Sequence, residues 1–172
     1  MQIKNDIRTP RLTIRDYKSD DLPYVTAMWF DPENGKYMSD PQKEYVDEVY
    51  RKALDGMEDS KDGYYLTVVS NDIGNIMGTC CIFPGDKKDA YDIGYCINKK
   101  YWRQGYGTEL ITALIGRIRE YGGTEITAEV AKENAASRNL LLKNGFEILR
   151  ESEFKKYNMD ITFDSFIYKL VL

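Results

Sequence analysis

The stretch from Tyr101 to Glu109 (YWRQGYGTE) has the composition of an anion-binding turn. It lies between a predicted strand, Tyr91 to Ile97, and a predicted amphipathic helix that starts near Thr108. A glycine-rich turn that opens a helix presents unpaired backbone N–H groups, and the helix dipole adds partial positive charge there. Gly105 and Gly107 would let a ligand approach the backbone, because no side chain intervenes. The turn therefore predicts a phosphate or pyrophosphate site.

Other glycine turns fit this stretch less well. The dinucleotide-binding turn needs a third glycine three residues after the second, and that position is Leu110. The P-loop needs Gly-Lys-Ser/Thr, whereas Thr108 and Glu109 follow Gly107. Both phosphate motifs therefore fail. Gly105 and Gly107 also fit an ordinary loop before a helix, because glycine is common in loops, and this alternative stays open.

The composition limits the chemistry and the class of protein. The sequence has no histidine, which excludes Ser-His-Asp and Cys-His catalysis and the common zinc sites, so we expect no metal. Any general base must be a carboxylate, a tyrosine, a lysine or water. The net charge of −4 argues against a general nucleic-acid binder. Cys80, Cys81 and Cys96 fall in predicted strands, and we expect buried small apolar residues rather than reactive thiols.

The length and hydropathy predict one domain over residues 1–172, which is long enough for a substantial core. The sequence has no run of about 18 apolar residues, so we expect no membrane span. Its first residues lack the apolar region of a signal peptide, which predicts a cytoplasmic protein.

The predicted elements alternate between strands and helices. Strands are predicted at 11–16, 64–69, 76–83, 91–97, 125–130, 146–154 and 163–171. Helices are predicted from Leu22 through Trp29, from Ser39-Asp40-Pro41 with Tyr45, Val49 and Ala53 on one face, from about Thr108 to Gly122, and from Asn134 to Asn144. This order indicates an α/β protein with a mixed sheet and helices on both faces.

The glycine turn resembles the acetyl-CoA motif of the GNAT N-acetyltransferase superfamily, Q/R-x-x-G-x-G/A. Gly105 and Gly107 match it, while Trp102 stands at its first position, a departure typical of the Rim-type branch that acetylates ribosomal-protein N-termini. Three further segments resemble family motifs in the same order, namely Thr9–Arg15, Asp92–Tyr95 and Asn134–Phe146. The resemblance covers about Ile7 to Leu172.

The resemblance implies a mostly antiparallel sheet whose fourth and fifth strands, here Tyr91–Ile97 and Glu125–Val130, splay apart to admit acetyl-CoA. It implies that the backbone of one strand pairs with the pantetheine arm and that amides of the turn bind the pyrophosphate. Asn134 would bind the cofactor or cap its own helix, and Ser137 would face the thioester sulfur or bond its own helix backbone. The implied cofactor-binding residues are Tyr95, Cys96, Ile97, Arg103, Gln104, Gly105, Tyr106, Gly107, Thr108, Asn134 and Ser137.

The resemblance also implies direct attack of an amine on the thioester. Glu129 is the first candidate for the base, because some N-terminal acetyltransferases of the superfamily carry a glutamate there; Asp92 is the second. Glu129 also fits a surface carboxylate on an alternating strand. The usual acid is a tyrosine at the position of Leu141, so Ser137, Tyr106 or solvent must protonate the thiolate.

The acceptor site carries no motif. Trp29, Phe30, Tyr37 and Met38 could line it, or could belong to the core, and the hairpin between Phe154 and Phe163 is a second candidate wall. The acceptor is expected to be a protein N-terminus or a small amine such as a polyamine, an amino acid or an antibiotic. A non-catalytic CoA-binding sensor is the alternative from another class, and either a monomer or a homodimer is compatible with the family.

Overall fold

A computed structural model describes residues 4–41 and 46–172 and contains an eight-stranded sheet. The strand order is β1-β2-β3-β4-β5-β6-β8-β7, and every neighbouring pair is antiparallel except β5 and β6, which are parallel. The strands are β1 (Ile7–Arg8), β2 (Leu12–Asp16), β3 (Tyr64–Ser70), β4 (Ile76–Pro84), β5 (Ala90–Ile97), β6 (Glu125–Ala131), β7 (Glu147–Lys155) and β8 (Thr162–Val171). The mostly antiparallel mixed sheet is confirmed, and β1 is an addition to the predicted strands.

Within these described residues, four α-helices connect the strands: α1 (Leu22–Trp29), α2 (Glu48–Asp55), α3 (Tyr106–Glu120) and α4 (Ala135–Lys143). The prediction for the start of α2 is wrong, because Ser39 to Pro41 are not helical and the Asp47 side chain caps the helix by accepting the N–H of Tyr50. Tyr45, predicted on its inner face, lies outside the described residues. Val49 is exposed, while Tyr50 and Leu54 are buried.

The helices cover both faces of the sheet, as predicted. On one face, α3 and α4 contribute Leu110, Leu114 and Leu141 to a core that includes Ile93 of β5. On the other face, α1 and α2 pack with Cys96 of β5. Ile93 and Cys96 are three residues apart and therefore point to opposite faces. Each fully buried aliphatic side chain of these cores contributes roughly 1.5–3 kcal/mol of stabilisation.

Strands β5 and β6 separate in the middle of the sheet. Their pairing covers Ala90–Asp92 with Glu125–Thr127, after which β5 continues to Ile97 and β6 to Ala131. The predicted splay is therefore confirmed. The two strands form a wedge, and the stretch of β5 after Asp92 has no strand partner on the side of β6 in the described chain.

The cysteines contribute to the core. Cys80 and Cys96 are buried, Cys81 is partly buried, and none of the three forms a disulfide. Burial raises the pKa of Cys81 and of Cys96 to about 12, so these thiols stay protonated at neutral pH. Across the described residues, no helix is both long and apolar enough to cross a bilayer.

Candidate active site

The turn before α3 presents a row of free amides. Gly105 lies in the left-handed region with φ of 84°, and Arg103 has φ of 59°. The backbone N–H groups from Arg103 to Thr108 have no recorded acceptor within residues 4–41 and 46–172; the first helix-closing bond at this end is Glu109 N to Gly105 O, 3.1 Å. Amides that alternate with left-handed residues at a helix start form a concave anion-binding surface.

A side-chain network holds this turn against the N-terminal segment. Glu109 accepts hydrogen bonds from Thr9 Oγ1 (2.5 Å), from the backbone N–H of Arg11 (2.9 Å) and from Arg11 Nε (2.6 Å). Arg11 also donates from Nη1 to the carbonyl of Gln104 (2.9 Å), and its guanidinium lies 4.2 Å from the centre of the Tyr106 ring. Sequence reasoning missed this contact, although Thr9, Arg11 and Glu109 all belong to segments that resemble family motifs.

The two glycines of the turn serve different needs. Gly105 supplies the left-handed conformation that a side chain would strain. Gly107 has no positive φ, but a Cβ there would lie 2.9 Å from Leu140 Cδ2 on α4. A side chain at Gly107 would therefore require the terminal methyl group of the partly buried Leu140 to shift, and the ligand access expected from the sequence stays a prediction.

The end of β5 is fixed by two side chains. Trp102 Nε1 donates to the carbonyl of Ile97 (2.7 Å), and Asn34 Nδ2 donates to the same carbonyl (3.2 Å) and to Cys96 Sγ (3.0 Å). Asn34 also accepts the N–H of Lys99 (2.6 Å). The residue at the first position of the motif thus orders the strand that precedes the turn. Asn34 was missed because its loop carries no motif.

The start of α4 forms the wall of the wedge opposite β5. Asn134 caps the helix by accepting the N–H of Ser137 (3.2 Å). Ser137 Oγ lies 2.7 Å from the hydroxyl of Tyr95, a contact that joins α4 to β5. Leu141, at the position of the usual tyrosine, is fully buried in the core. Tyr106, also considered as the acid, packs against Arg11.

The two candidate bases share the other face of the sheet. Asp92 is paired with Thr127, and Glu129 follows two residues later, so all three point to the α1/α2 side. Thr127 Oγ1 donates to Asp92 (2.6 Å), and Ser165 Oγ donates to Glu129 (2.5 Å). Burial raises the pKa of Asp92, and the nearby charge of Glu129 raises it further. Neither carboxylate has a Lys or Arg partner among the described residues.

The predicted acceptor residues divide into two groups. Trp29 is buried and donates from Nε1 to Thr79 Oγ1 (3.1 Å), and Phe30 packs on Tyr50, which fits the core alternative. Tyr37 lies edge-on to Phe163, with ring centres 5.7 Å apart. Since Phe163 also packs on Phe154, the loop after α1 and the last hairpin form a continuous aromatic wall.

A buried lysine joins this loop to the hairpin. Lys156 is 2% exposed, and its Nζ donates to the carbonyls of Gly35 (2.8 Å), Met38 (2.8 Å) and Asp40 (3.0 Å). Burial lowers the pKa of Lys156, while the charge of Asp40 opposes that shift. The sequence did not predict this contact of Lys156, because a lysine next to a turn is expected to be exposed.

A family comparison matches residues 11–147 to the acetyltransferase (GNAT) domain. The chain belongs to the GNAT acetyltransferases. Its curated relatives include the uncharacterized N-acetyltransferase p20 of Bacillus licheniformis, 26% identical over 164 residues, with 86% of this chain and 87% of that protein covered.

Solved GNAT structures have the same fold. A spermidine N-acetyltransferase from Vibrio cholerae, in complex with CoA and spermine, has a TM-score of 0.78 at 16% identity and covers 95% of this chain and 96% of its own. The ribosomal-protein α-N-acetyltransferase RimL, in complex with CoA, has a TM-score of 0.81 at 16% identity, with 98% of each chain covered. At this identity the likeness establishes the fold and leaves the acceptor open.

The GNAT assignment identifies the cosubstrate of the reaction. An N-acetyltransferase of this family takes its acetyl group from acetyl-CoA as cosubstrate. In this GNAT domain the turn with the free amides follows the part of β5 that does not pair with β6. The carboxylates Asp92 and Glu129 lie on the opposite side of the sheet from Tyr95 and Ser137.

Proposed function

We propose that this chain is a Rim-type α-amine N-acetyltransferase, whose acceptor is the N-terminus of a protein or peptide. The observation that carries the proposal is the pairing of free turn amides on one side of the wedge with carboxylates on the other. The amides from Arg103 to Thr108 have no acceptor of their own in the described chain. Asp92 and Glu129 share the other face of the sheet, and the proposal assigns the amine to that face.

The residues at the turn and at β5 fit coenzyme A. The amides of the turn bind the pyrophosphate, since a helix N-terminus with free N–H groups stabilises an anion. The edge of β5 at Tyr95, beyond its pairing with β6, bonds the pantetheine arm as an added strand would, while the Ile97 carbonyl already accepts from Trp102 and Asn34. Asn134 orders the opposite wall through its cap on α4. Bound in this way, acetyl-CoA supplies an acyl group that a thioester has already activated.

The protein's own residues contribute to the reaction by orienting the amine and by accepting its proton. Glu129 is the proposed base, and Asp92 with its raised pKa is the second carboxylate at the same place. An α-amine with a pKa of about 7.7–8.0 is roughly 10–15% neutral at pH 7, whereas a lysine amine with a pKa of about 10.4 is about 0.04% neutral. Deprotonation therefore costs a lysine about 3 kcal/mol more. An exposed carboxylate, being a weak base, suits the α-amine.

A second candidate function is acetylation of a polyamine. Two neighbouring carboxylates without a cationic partner in the described chain favour an acceptor with more than one positive charge. A polyamine would place its reacting amine at Glu129 and a further ammonium near Asp92. The aromatic wall of Tyr37 and Phe163 would pack on the methylene chain.

One plate assay separates these functions. Thiol release from acetyl-CoA is measured with a short peptide that has a free N-terminus, the same peptide acetylated at its N-terminus but with a free lysine, and spermidine. We expect release with the first peptide only. Release with spermidine alone would favour the second function. Binding of CoA by calorimetry without release from any amine would contradict both.

A further inference from the structure

The wedge contains a hydroxyl pair, Tyr95 and Ser137, whose mutual contact the family resemblance does not assign. Tyr95 points from β5 toward the α3/α4 side, because it lies one residue from Cys96, which faces α1. Its hydroxyl meets Ser137 Oγ at 2.7 Å across the gap between β5 and α4. The two groups therefore span the opening that the thioester must enter.

Either hydroxyl of this pair can be the donor. When Tyr95 donates to Ser137 Oγ, the serine proton is free to point elsewhere, and no second partner of Ser137 Oγ is recorded in the described residues. The backbone N–H of Ser137 is held by the Asn134 cap, so the first turn of α4 keeps this oxygen in place. A half-buried hydroxyl with an unused proton is suited to an acceptor from outside the chain.

We propose that Tyr95 and Ser137 form a relay that donates to the leaving sulfur. Ser137 takes the contact with the sulfur, and Tyr95 acts through Ser137 as a positioning and proton-supplying residue. This inference rests on the coenzyme A placement proposed above. The usual acid of the family is a tyrosine at the position of Leu141 on α4. In this chain Tyr95, on the facing strand β5, would provide the phenol instead.

The proton balance closes with the two hydroxyls, Glu129 and solvent water. The amine nitrogen bonds to the carbonyl carbon as the carbon–sulfur bond breaks, and the electron pair of that bond stays on sulfur. Ser137 gives its proton to the sulfur and receives the proton of Tyr95. Tyr95 recovers a proton from water, and the proton lost by the amine goes to Glu129 or to water. No oxidant or further reactant is needed.

The protonation state of Tyr95 agrees with this role. Burial raises the pKa of Tyr95 to about 12, and the contact with Ser137 offsets that rise in part. The phenol therefore keeps its proton at neutral pH. A hydrogen-bond donor aimed at developing charge lowers the barrier without ionising first.

The test titrates the thiol of CoA bound to the protein, followed by the ultraviolet absorbance of the thiolate. A free thiol has a pKa of about 8.5. We expect the wild-type protein to lower the pKa of the bound thiol, and Tyr95→Phe to raise it again by about one unit, because a hydrogen bond that stabilises the thiolate is weakened. Ser137→Ala should do the same, and the double variant should add nothing to Ser137→Ala.

The turnover number and the CoA affinity distinguish a role in proton transfer from a structural role. With the most active amine from the plate assay, Tyr95→Phe should lower kcat by about 100-fold, within the range of general acid catalysis, at unchanged CoA affinity. Tyr91→Phe is the matched control, since Tyr91 lies on the same strand and face but within the paired part of β5, and it should change neither quantity.

The outcomes separate the two proposals. An equal pKa of the bound thiol in wild type and in Tyr95→Phe overturns the relay alone. A Tyr95→Phe variant that loses CoA affinity along with rate also overturns it, because the role would then be structural. A wild-type protein that binds no CoA overturns the proposed site, and the relay with it.

Discussion

Glu109 on α3 accepts both the backbone N–H and the Nε of Arg11, a residue that lies 98 positions earlier in the chain. The same arginine donates to the carbonyl of Gln104, which belongs to the glycine turn. The N-terminal segment is thus bonded to both ends of the proposed pyrophosphate-binding turn. We infer that this contact orders the turn before a ligand arrives, which lowers the entropic cost of binding.

Glu109→Gln should weaken CoA binding while leaving the chemical step unchanged. The amide keeps the shape of the side chain but removes the charge that Arg11 pairs with, so we expect the Kd for CoA to rise about 3- to 10-fold, or about 1 kcal/mol. Glu120→Gln is the control, because Glu120 lies on the same helix, is exposed and pairs with Arg117 rather than with the N-terminal segment. Calorimetry that gives equal affinities for both variants would contradict the role of Arg11.

The stabilisation that the Arg11–Glu109 contact provides should be lost at low pH. Burial raises the pKa of Glu109, but hydrogen bonds from Thr9 and Arg11 outweigh it and hold this pKa below the ordinary value of 4.5. Its stabilisation is therefore complete above pH 4.5 and is lost as the pH falls through the lowered pKa of the folded state. The unfolding free energies of wild type and Glu109→Gln should converge below pH 4.5. A difference that persists into acid would argue against an ionic contact.

Gly105→Ala should damage the turn, and Gly116→Ala should not. Alanine at a φ of 84° costs about 1–2 kcal/mol and shifts the free amides, so both stability and CoA affinity should fall. Gly116 lies within α3, and a methyl group added there would meet no atom within 4 Å, so alanine should stabilise the helix by up to about 1 kcal/mol. Urea unfolding and calorimetry check both. Normal CoA affinity in Gly105→Ala would refute the turn assignment.

Glu129→Gln should slow turnover with little effect on CoA affinity. Loss of the base should lower kcat roughly 100-fold, most strongly at low pH where the amine holds its proton. Glu125→Gln is the control on the same strand, since Glu125 pairs with Lys169 at the far end from the wedge. The pH profile of kcat is the measurement. A normal rate in Glu129→Gln would transfer the role to Asp92 or to water.

Lys156→Met should loosen the aromatic wall. Three carbonyls would lose their donor, which should destabilise the protein by about 2–4 kcal/mol and raise the KM for the acceptor more than the KM for acetyl-CoA. Lys155→Met is the neighbouring control, because Lys155 is exposed. Equal stability of the two variants in thermal unfolding would contradict the structural role of Lys156.

Prediction from sequence worked best where the signal is local. The stripe of Leu110, Leu114 and Ile118 at helical spacing placed α3 on the core, because a helix needs only its own periodicity to reveal its buried face. The same reasoning misplaced the start of α2, where proline at 41 suggested a helix start and Asp47 provides the cap. A cap depends on one hydrogen bond, and several residues in such a stretch could form it.

The sequence by itself determined the glycine turn, most strand and helix positions, and the family, because each periodic pattern and each motif is local in the chain. Only the tertiary structure decided which side chains meet. Tyr95 and Ser137 are 42 positions apart, and Lys156 and Gly35 are 121 apart. Asp92 and Glu129 share a face because the β5–β6 register sets Asp92 opposite Thr127. Such contacts follow from strand order and register, which long-range packing fixes and local pattern does not encode.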